Sequence, residues 1–187
     1  MTFGPTLVSL LAACIFMSGC LEPLAPRPHS AAQPVIDPVA FFTGQTRGEG
    51  TLNRRFAAGR QLTVEGIGRV LPDSALQLDQ TITFRDGSVE TRRWLLRRRG
   101  ANGYMATLSD ASGAVSTDVA GNLLHLRYKI RWPRVYMEQW LYLDTDGRTL
   151  LNYAEVSVLG IAWLHLSERI TRPDPVDRRR IALPAAR

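Results

Sequence analysis

Apolar and polar side chains alternate through most of this chain after Gly44, and no 3.6-residue periodicity replaces that alternation. Runs rich in Val, Ile, Thr, Tyr and Trp carry the pattern, which is typical of β-strands with one buried face. The pairs Asp86-Gly87, Gly121-Asn122 and Asp146-Gly147 separate several runs and fit tight hairpins, because each supplies a residue that tolerates positive φ. The predicted strands span approximately 47–57, 60–71, 75–85, 89–99, 103–109, 114–119, 123–132, 135–144, 149–158 and 161–171.

About ten strands joined by short turns form an antiparallel up-and-down meander. A meander of this length exposes two strand edges unless its first and last strands pair, so we predict an all-β closed barrel. One helical turn is expected before it, since Asp37 can cap a helix that has Pro38 at its first position. Phe41 and Phe42 would then plug an apolar space.

Alternation also assigns the two faces of individual strands. In 123–132 we expect an interior face opposite a basic, solvent-facing one. The interior set is Leu124, Leu126, Tyr128, Ile130 and Trp132, and the outer set is Leu123, His125, Arg127, Lys129 and Arg131. In 161–171 one face carries Ala162, Leu164, Leu166, Glu168 and Ile170.

Two strands mix charged and aromatic residues on one face and hold the best functional hint. Arg92 shares a face with Trp94, and Glu138 shares a face with Trp140. If both tryptophans point inward, the charged residues follow them, and a buried Arg needs an acid or an anionic ligand nearby. We therefore predict a ligand site formed by Arg92, Trp94, Tyr128, Glu138 and Trp140, with Arg92 holding a carboxylate or phosphate.

A solid core is the alternative interpretation of the same residues. Arg92 and Glu138 could pair with each other, and Trp94 and Trp140 could fill the interior. A small barrel is only just wide enough for its own side chains, so a cavity does not follow from the fold.

The N-terminus predicts export. Residues 1–20 contain no Asp, Glu, Lys or Arg, and the apolar run from Leu7 to Met17 is shorter than the roughly 20 residues needed to span a bilayer. It ends in Met17-Ser18-Gly19-Cys20, which resembles a bacterial lipobox, although Leu11-Ala12-Ala13-Cys14 offers a second candidate. Cleavage before Cys20 would leave that cysteine acylated, and Leu21 rather than Asp after it favours the outer membrane, at its periplasmic face.

The domain organisation follows from this interpretation. We predict a signal peptide at 1–19, the lipidated Cys20 with a Pro/Ala-rich tether at 20–37, the barrel at 38–172 and a basic polar tail at 173–187. Cys14 and Cys20 are the only cysteines, so the barrel itself can form neither a disulfide nor a thiolate metal site.

Known catalytic patterns are missing from the chain. It has no Gly-x-Ser-x-Gly, His-Glu-x-x-His or P-loop sequence, and its histidines, His29, His125 and His165, show no ligand spacing. We therefore predict no metal, no cofactor and no enzymatic activity. The formal net charge is +6, but an exported protein is not expected to meet nucleic acid; its basic surface would face anionic headgroups.

Several short motifs occur one after another along the barrel region. They are Phe41-Phe42-x-Gly44, Gly48-x-Gly50, Asp86-Gly87 followed by Arg92-Arg93-Trp94, Gly121-Asn122 before Tyr128, Trp140-Leu141-Tyr142-Leu143-x-x-Asp146-Gly147, and Asn152 before Gly160. In this order the chain resembles the uncharacterised bacterial lipoproteins with domain of unknown function 3833, over about residues 38–172 plus the anchor. The family has no established activity, so the resemblance carries over no functional residue.

Together these observations predict an outer-membrane lipoprotein with a lipocalin- or calycin-like barrel that binds an apolar, anionic lipid-like ligand such as a fatty acid or phospholipid. One alternative is an envelope structural or assembly module that uses the basic face of His125, Arg127, Lys129 and Arg131. An envelope lipid-modifying enzyme is the least favoured, because no nucleophile or base can be named.

Overall fold

One short helix and ten strands make up the computed structural model, which describes residues 27–100, 103–130 and 134–173. The elements are α1 (Pro38–Phe42), β1 (Gly44–Arg54), β2 (Arg60–Val70), β3 (Leu76–Phe84), β4 (Val89–Arg99), β5 (Gly103–Leu108), β6 (Val115–Ala120), β7 (Leu123–Lys129), β8 (Val135–Leu143), β9 (Thr149–Val158) and β10 (Ile161–Thr171). The predicted lipidation site Cys20, the alternative Cys14, Arg131, Trp132 and most of the predicted tail lie outside the described residues.

Each strand pairs antiparallel with the next along the chain, and β1 pairs with β10. Gly48 lies opposite Ile170 and Leu52 opposite Leu166 in that closing ladder. The predicted all-β closed barrel is therefore confirmed. β1 begins at Gly44 rather than at residue 47 and ends at Arg54, since the chain turns directly after it.

The predicted glycine turns are present, and the described part of β7 has the predicted faces. Gly87, Gly121 and Gly147 have φ of 83°, 58° and 64°, the left-handed region that these hairpins require. In β7, Leu124, Leu126 and Tyr128 are buried, and the alternate residues of that strand are more exposed.

Helix α1 closes one end of the barrel. The Asp37 carboxylate accepts hydrogen bonds from the backbone N–H of Val39 at 3.0 Å and of Ala40 at 3.2 Å. Phe41 and Phe42 are both buried in the main hydrophobic cluster, as predicted. Within the described ranges, no helix is long and apolar enough to cross a membrane.

Gly68 lets this helix approach β2. A Cβ at this position would lie 1.8 Å from the Phe42 carbonyl oxygen, so only glycine fits without a backbone shift. The contact sets the position of the plug over the barrel end.

The buried side chains form two clusters inside the barrel. The larger one includes α1 and the fully buried Leu76 and Leu150. The smaller one joins β2 to β3 and consists of Leu62, Val64, Ile82 and Phe84. Residues of both clusters line a cavity inside the barrel.

Candidate functional site: a cavity inside the barrel

A cavity of about 410 Å³ lies inside the barrel. Apolar side chains supply most of its wall, among them Phe42, Leu62, Leu78, Leu96, Leu126 and Leu141. Its volume falls within the range of about 300–1,000 Å³ that small-molecule sites occupy. The barrel is therefore not filled by its own side chains.

The two ends of the cavity differ. Pro38 and Phe42 of α1 line one end and are buried. The other end is lined by Arg54, Ala57, Ala58, Arg60 and Glu90, all exposed to solvent, and we call it the mouth. A ligand would enter at the mouth because the plug covers the opposite end.

Strand β4 directs Arg92 and Trp94 into the cavity, in agreement with the inward orientation considered from the sequence. The Trp94 indole N–H donates to Gln80 Oε1 at 2.8 Å, and its ring meets Tyr128 edge-on with centroids 5.9 Å apart. These contacts fix the tryptophan in the wall. Its apolar ring face remains available to a ligand, while its polar atom is satisfied.

Arg92 has a partner that the sequence did not indicate. Its Nε lies 3.3 Å from Asp110 Oδ2, with both side chains half-buried. Asp110 follows β5, while Arg92 belongs to β4, so the β4–β5 pairing brings them together. A guanidinium has five N–H donors, and this contact uses only one edge of it.

Tyr128 is buried behind Trp94 and, contrary to the prediction, is not among the residues that line the cavity. Burial raises the pKa of its phenol well above the ordinary value of 10.0, although the nearby Arg92 opposes that shift. Its hydroxyl has no hydrogen-bond partner among the described side chains and backbone. The residue supports Trp94 and presents an unsatisfied polar group beside Arg92 and Asp110.

The most buried ionisable group of the cavity wall is Glu168, which no sequence motif singled out. It is 9 % exposed, and Asn152 Nδ2 donates to its Oε2 at 2.9 Å. Burial is the largest influence and raises the pKa of this carboxyl, against the smaller lowering effects of Asn152 and Arg92. The signal in the sequence was an acid on the otherwise apolar face of β10.

Glycine makes room for that acid. A Cβ at Gly48 of the paired strand would lie 2.0 Å from Glu168 Oε1, so a larger residue would displace the carboxyl. Gln139 and Asn152 also line the cavity and are buried. The wall thus combines a large apolar area with a few convergent polar groups, as binding sites for small molecules do.

Glu138 and Trp140 do not line the cavity, and the expectation that they do is wrong. They lie on the outer face of β8, whose inner face carries Met137, Gln139 and Leu141. Both faces of this strand are rich in apolar residues, so alternation alone could not decide which one faces inward.

On the outer face these two residues enclose His125. Glu138 Oε1 lies 2.8 Å from His125 Nε2, and the Trp140 ring stacks on the imidazole with centroids 5.6 Å apart. Arg27 covers the same tryptophan, its Cζ 3.8 Å from the ring centroid. Part of the basic face considered for the structural alternative is therefore engaged within the fold, whereas Arg127 and Lys129 are exposed.

Three arginines line the cavity toward its mouth. They are Arg54, Arg60 and Arg92; Glu90 lies among them, and Arg60 and Arg92 have the acidic partners Asp86 and Asp110. Arg60 pairs with Asp86 at 2.7 Å, and its guanidinium lies 3.9 Å from the centroid of the Phe84 ring. Arg54 has no acidic partner among the described residues, and Arg92 uses only one edge of its guanidinium, so these two arginines could contact a carboxylate or phosphate group.

A second concavity, of about 790 Å³, crosses the outer surface over β1 and its neighbours. Gln61, Thr63, Thr83 and Arg169 are among its polar lining residues. It lies outside the barrel and is open to solvent, so it cannot remove an apolar ligand from water as the interior cavity can.

In the part of the chain that the structure describes, no cluster of three or more His, Cys, Asp or Glu side chains could hold a metal ion.

A closed antiparallel barrel of ten strands around an interior cavity is a lipocalin-like fold. The sequence matches the family described as "Protein of unknown function (DUF3833)" over residues 14–170, and the chain belongs to this family. No curated protein shows a significant match to the sequence.

Solved structures that share the fold include a lyase and a protein of unknown function. The S-type phycobiliprotein lyase CPES from Guillardia theta aligns with a TM-score of 0.59 at 8 % identity, covering 73 % of this chain and 90 % of the lyase. A protein of unknown function from the DUF3598 family of Nostoc punctiforme aligns with a TM-score of 0.56 at 10 % identity, covering 75 % of this chain and 51 % of that protein. At such identities the likeness describes the fold alone.

Proposed function

We propose that this protein binds a small apolar molecule with an anionic group, such as a fatty acid or a phospholipid, inside the barrel. The observation that carries the proposal is the apolar cavity with Arg54, Arg60 and Arg92 toward its mouth. The likeness to a phycobiliprotein lyase supports a small-ligand barrel without indicating the ligand. The acyl chain of the ligand would lie along the apolar wall, and its charged group would lie near Arg92.

The proposal includes the location of the protein. Cleavage before Cys20 and acylation of that cysteine would anchor the barrel at the periplasmic face of the outer membrane, since stable anchoring takes more than one acyl chain. The tether would be shorter than the predicted 20–37, because Arg27 lies over Trp140, Ala31 hydrogen-bonds to Asn122 and Ile36 is buried in the core. Mass spectrometry of the mature N-terminus from membranes would test this, and an acyl mass on Cys14 would select the alternative site.

Ligand binding is tested first on the chain without residues 1–20, which keeps every described contact because the structure describes only residues within 27–173. Native mass spectrometry compared with denaturing extraction should reveal a co-purifying lipid. If the protein is recovered without ligand, added oleate should bind to it and appear in the native spectrum. A protein that is recovered without ligand and ignores oleate and lysolipids would favour the structural or assembly module instead.

Two substitutions of opposite expected sign test the role of Arg92. Arg92→Ala should weaken oleate binding by about 10- to 100-fold, since a hydrogen bond to a charged group contributes about 1.5–3 kcal/mol. Asp110→Asn should strengthen it, because the competing carboxylate 3.3 Å from Arg92 Nε loses its charge. Neither variant should change the affinity for oleyl alcohol by a comparable factor.

Arg93→Ala is the matched control. Arg93 is adjacent in sequence but lies on the outer face of β4, where it pairs with Asp79. Unchanged oleate binding in Arg92→Ala, or an equal loss in Arg93→Ala, would contradict the assignment of Arg92 as the anion contact.

A further inference from the structure

Large apolar side chains are exposed together at the mouth. Phe56 is 66 % exposed in the β1–β2 turn, and Leu159, Ile161 and Trp163 of the β9–β10 hairpin are 64 %, 57 % and 40 % exposed. Phe56 meets Trp163 edge-on with ring centroids 6.1 Å apart, and the Arg55 N–H donates to the Trp163 carbonyl at 2.9 Å. We call Phe56, Leu159, Ile161 and Trp163 the mouth patch.

Two residues of the mouth patch place bulky side chains at turn positions where the backbone has positive φ. Phe56 and Leu159 have φ of 60° and 53°, a region that bulky residues rarely adopt. Leu159 and Gly160 form a two-residue hairpin loop with both φ positive, the geometry for which Asn-Gly is the preferred pair. The chain thus places a leucine at a tip where asparagine would be more stable, which points to a role for the exposed side chain.

Arginines surround the mouth patch. Arg54 and Arg55 precede Phe56, and the exposed Arg134 accepts a hydrogen bond on its carbonyl from the Leu159 N–H at 3.1 Å. None of these three arginines has an acidic partner among the described residues. An aromatic and aliphatic tip flanked by unpaired arginines complements the boundary between the acyl chains and anionic headgroups of a bilayer.

We propose that the mouth patch docks onto an anionic lipid bilayer, inserting the side chains of Phe56, Leu159 and Trp163 while the arginines contact lipid headgroups. Exposed apolar side chains beside arginines that have no acidic partner among the described residues complement an anionic bilayer surface, so the bilayer is the favoured partner. Docking would place the open end of the cavity against the membrane. The inference concerns a surface outside the cavity and stands whether or not Arg92 binds an anion.

Leu159→Asn tests the proposal without endangering the fold. The substitution creates the preferred pair for this loop, so the melting temperature should stay equal or rise. Burying one Leu side chain in the bilayer contributes to the free energy of binding, and its loss should weaken vesicle binding by about tenfold. The non-acylated chain from residue 21 would be floated with vesicles of phosphatidylcholine alone or mixed equally with phosphatidylglycerol.

Charge and position are tested separately. Arg134→Gln should reduce binding to the anionic vesicles by about fivefold and leave binding to neutral vesicles unchanged. Val70→Asn, which alters an exposed apolar residue at the plugged end of the barrel, serves as the control and should bind as the parent does.

The outcomes separate docking from ligand binding. Weaker flotation of Leu159→Asn with unchanged oleate binding supports the proposal. Unchanged flotation of Arg92→Ala with weaker oleate binding supports it as well. No flotation of the parent with anionic vesicles at low salt, or equal flotation of parent and Leu159→Asn, would overturn it. Photo-crosslinking from position 163 to a protein, without vesicle binding, would overturn it in favour of a protein partner.

Discussion

The buried carboxyl of Glu168 gives the most specific stability prediction. It is 9 % exposed, has one hydrogen bond from Asn152 to Oε2, and has no partner at Oε1 among the described residues. Burial disfavours its charged form, so its pKa in the folded chain is raised from the ordinary value of 4.5. Glu168→Gln has nearly the same shape, keeps an acceptor for Asn152 and cannot ionise.

The sign of the pH dependence follows from proton uptake. Above the ordinary pKa the unfolded chain has released the Glu168 proton while the folded chain retains it, so the carboxyl lowers stability as pH rises. This contribution is fully favourable below pH 4.5 and is lost as pH rises through the folded pKa. One carboxyl exchanges at most one proton, which limits the slope to about 1.4 kcal/mol per pH unit.

The measurement is urea denaturation of the parent and Glu168→Gln between about pH 4 and 8. The free energy of unfolding of Glu168→Gln minus that of the parent should increase with pH from about 4.5, within this slope, and then level off. Subtracting the two curves cancels the other titrating groups, including the carboxylates with lowered pKa such as Asp79, which act in the opposite direction.

Two variants sharpen this test. Glu65→Gln, at an exposed position on β2, should follow the parent at every pH. Arg92 lowers the pKa of Glu168, so Arg92→Ala should extend the falling part of the parent curve to higher pH. A difference between Glu168→Gln and the parent that is flat, or that falls with rising pH, would refute the account of a buried, preferentially protonated acid.

Two further predictions concern the fold. Gly68→Ala should lower the free energy of unfolding by about 1–3 kcal/mol in denaturant titrations, because its Cβ would lie 1.8 Å from the Phe42 carbonyl oxygen and the plug must shift; an unchanged midpoint would contradict this. Asp146→Ala should cost about 1 kcal/mol at neutral pH, since it removes a 2.7 Å hydrogen bond from Thr149 Oγ1 and others from turn N–H groups. These contacts lower the pKa of Asp146, so the deficit should shrink as pH falls below the ordinary value of 3.8, and a constant deficit would exclude this cause.

Part of the candidate site was predictable from the sequence. Arg92 and Trp94 share a strand face, and a buried tryptophan was expected to bring the arginine inward with it, as the structure shows. The same argument was wrong for Glu138 and Trp140, because the opposite face of β8 is apolar too and it is that face which the barrel buries. Ligand binding by Arg92 and Trp94 stays a prediction, whereas Tyr128 lies behind the cavity wall.

Other features depend on pairings between distant residues. Asp110 reaches Arg92 through the β4–β5 pairing, and Asn152 reaches Glu168 through the β9–β10 pairing. Neither contact has a sequence pattern, because register across strands decides which side chains meet. Only closure by β1 and β10 brings Phe56 against Trp163.

The sequence by itself determined the strands, their antiparallel order, the capped helix and the glycine turns, since alternation, capping and positive φ are local requirements of the backbone. Tertiary structure decided which face of β8 is buried, that the barrel holds a cavity of about 410 Å³, and which polar groups meet within it. The physical reason is that burial belongs to the closed barrel as a whole: a strand with two apolar faces is ambiguous until its neighbours remove one of them from water.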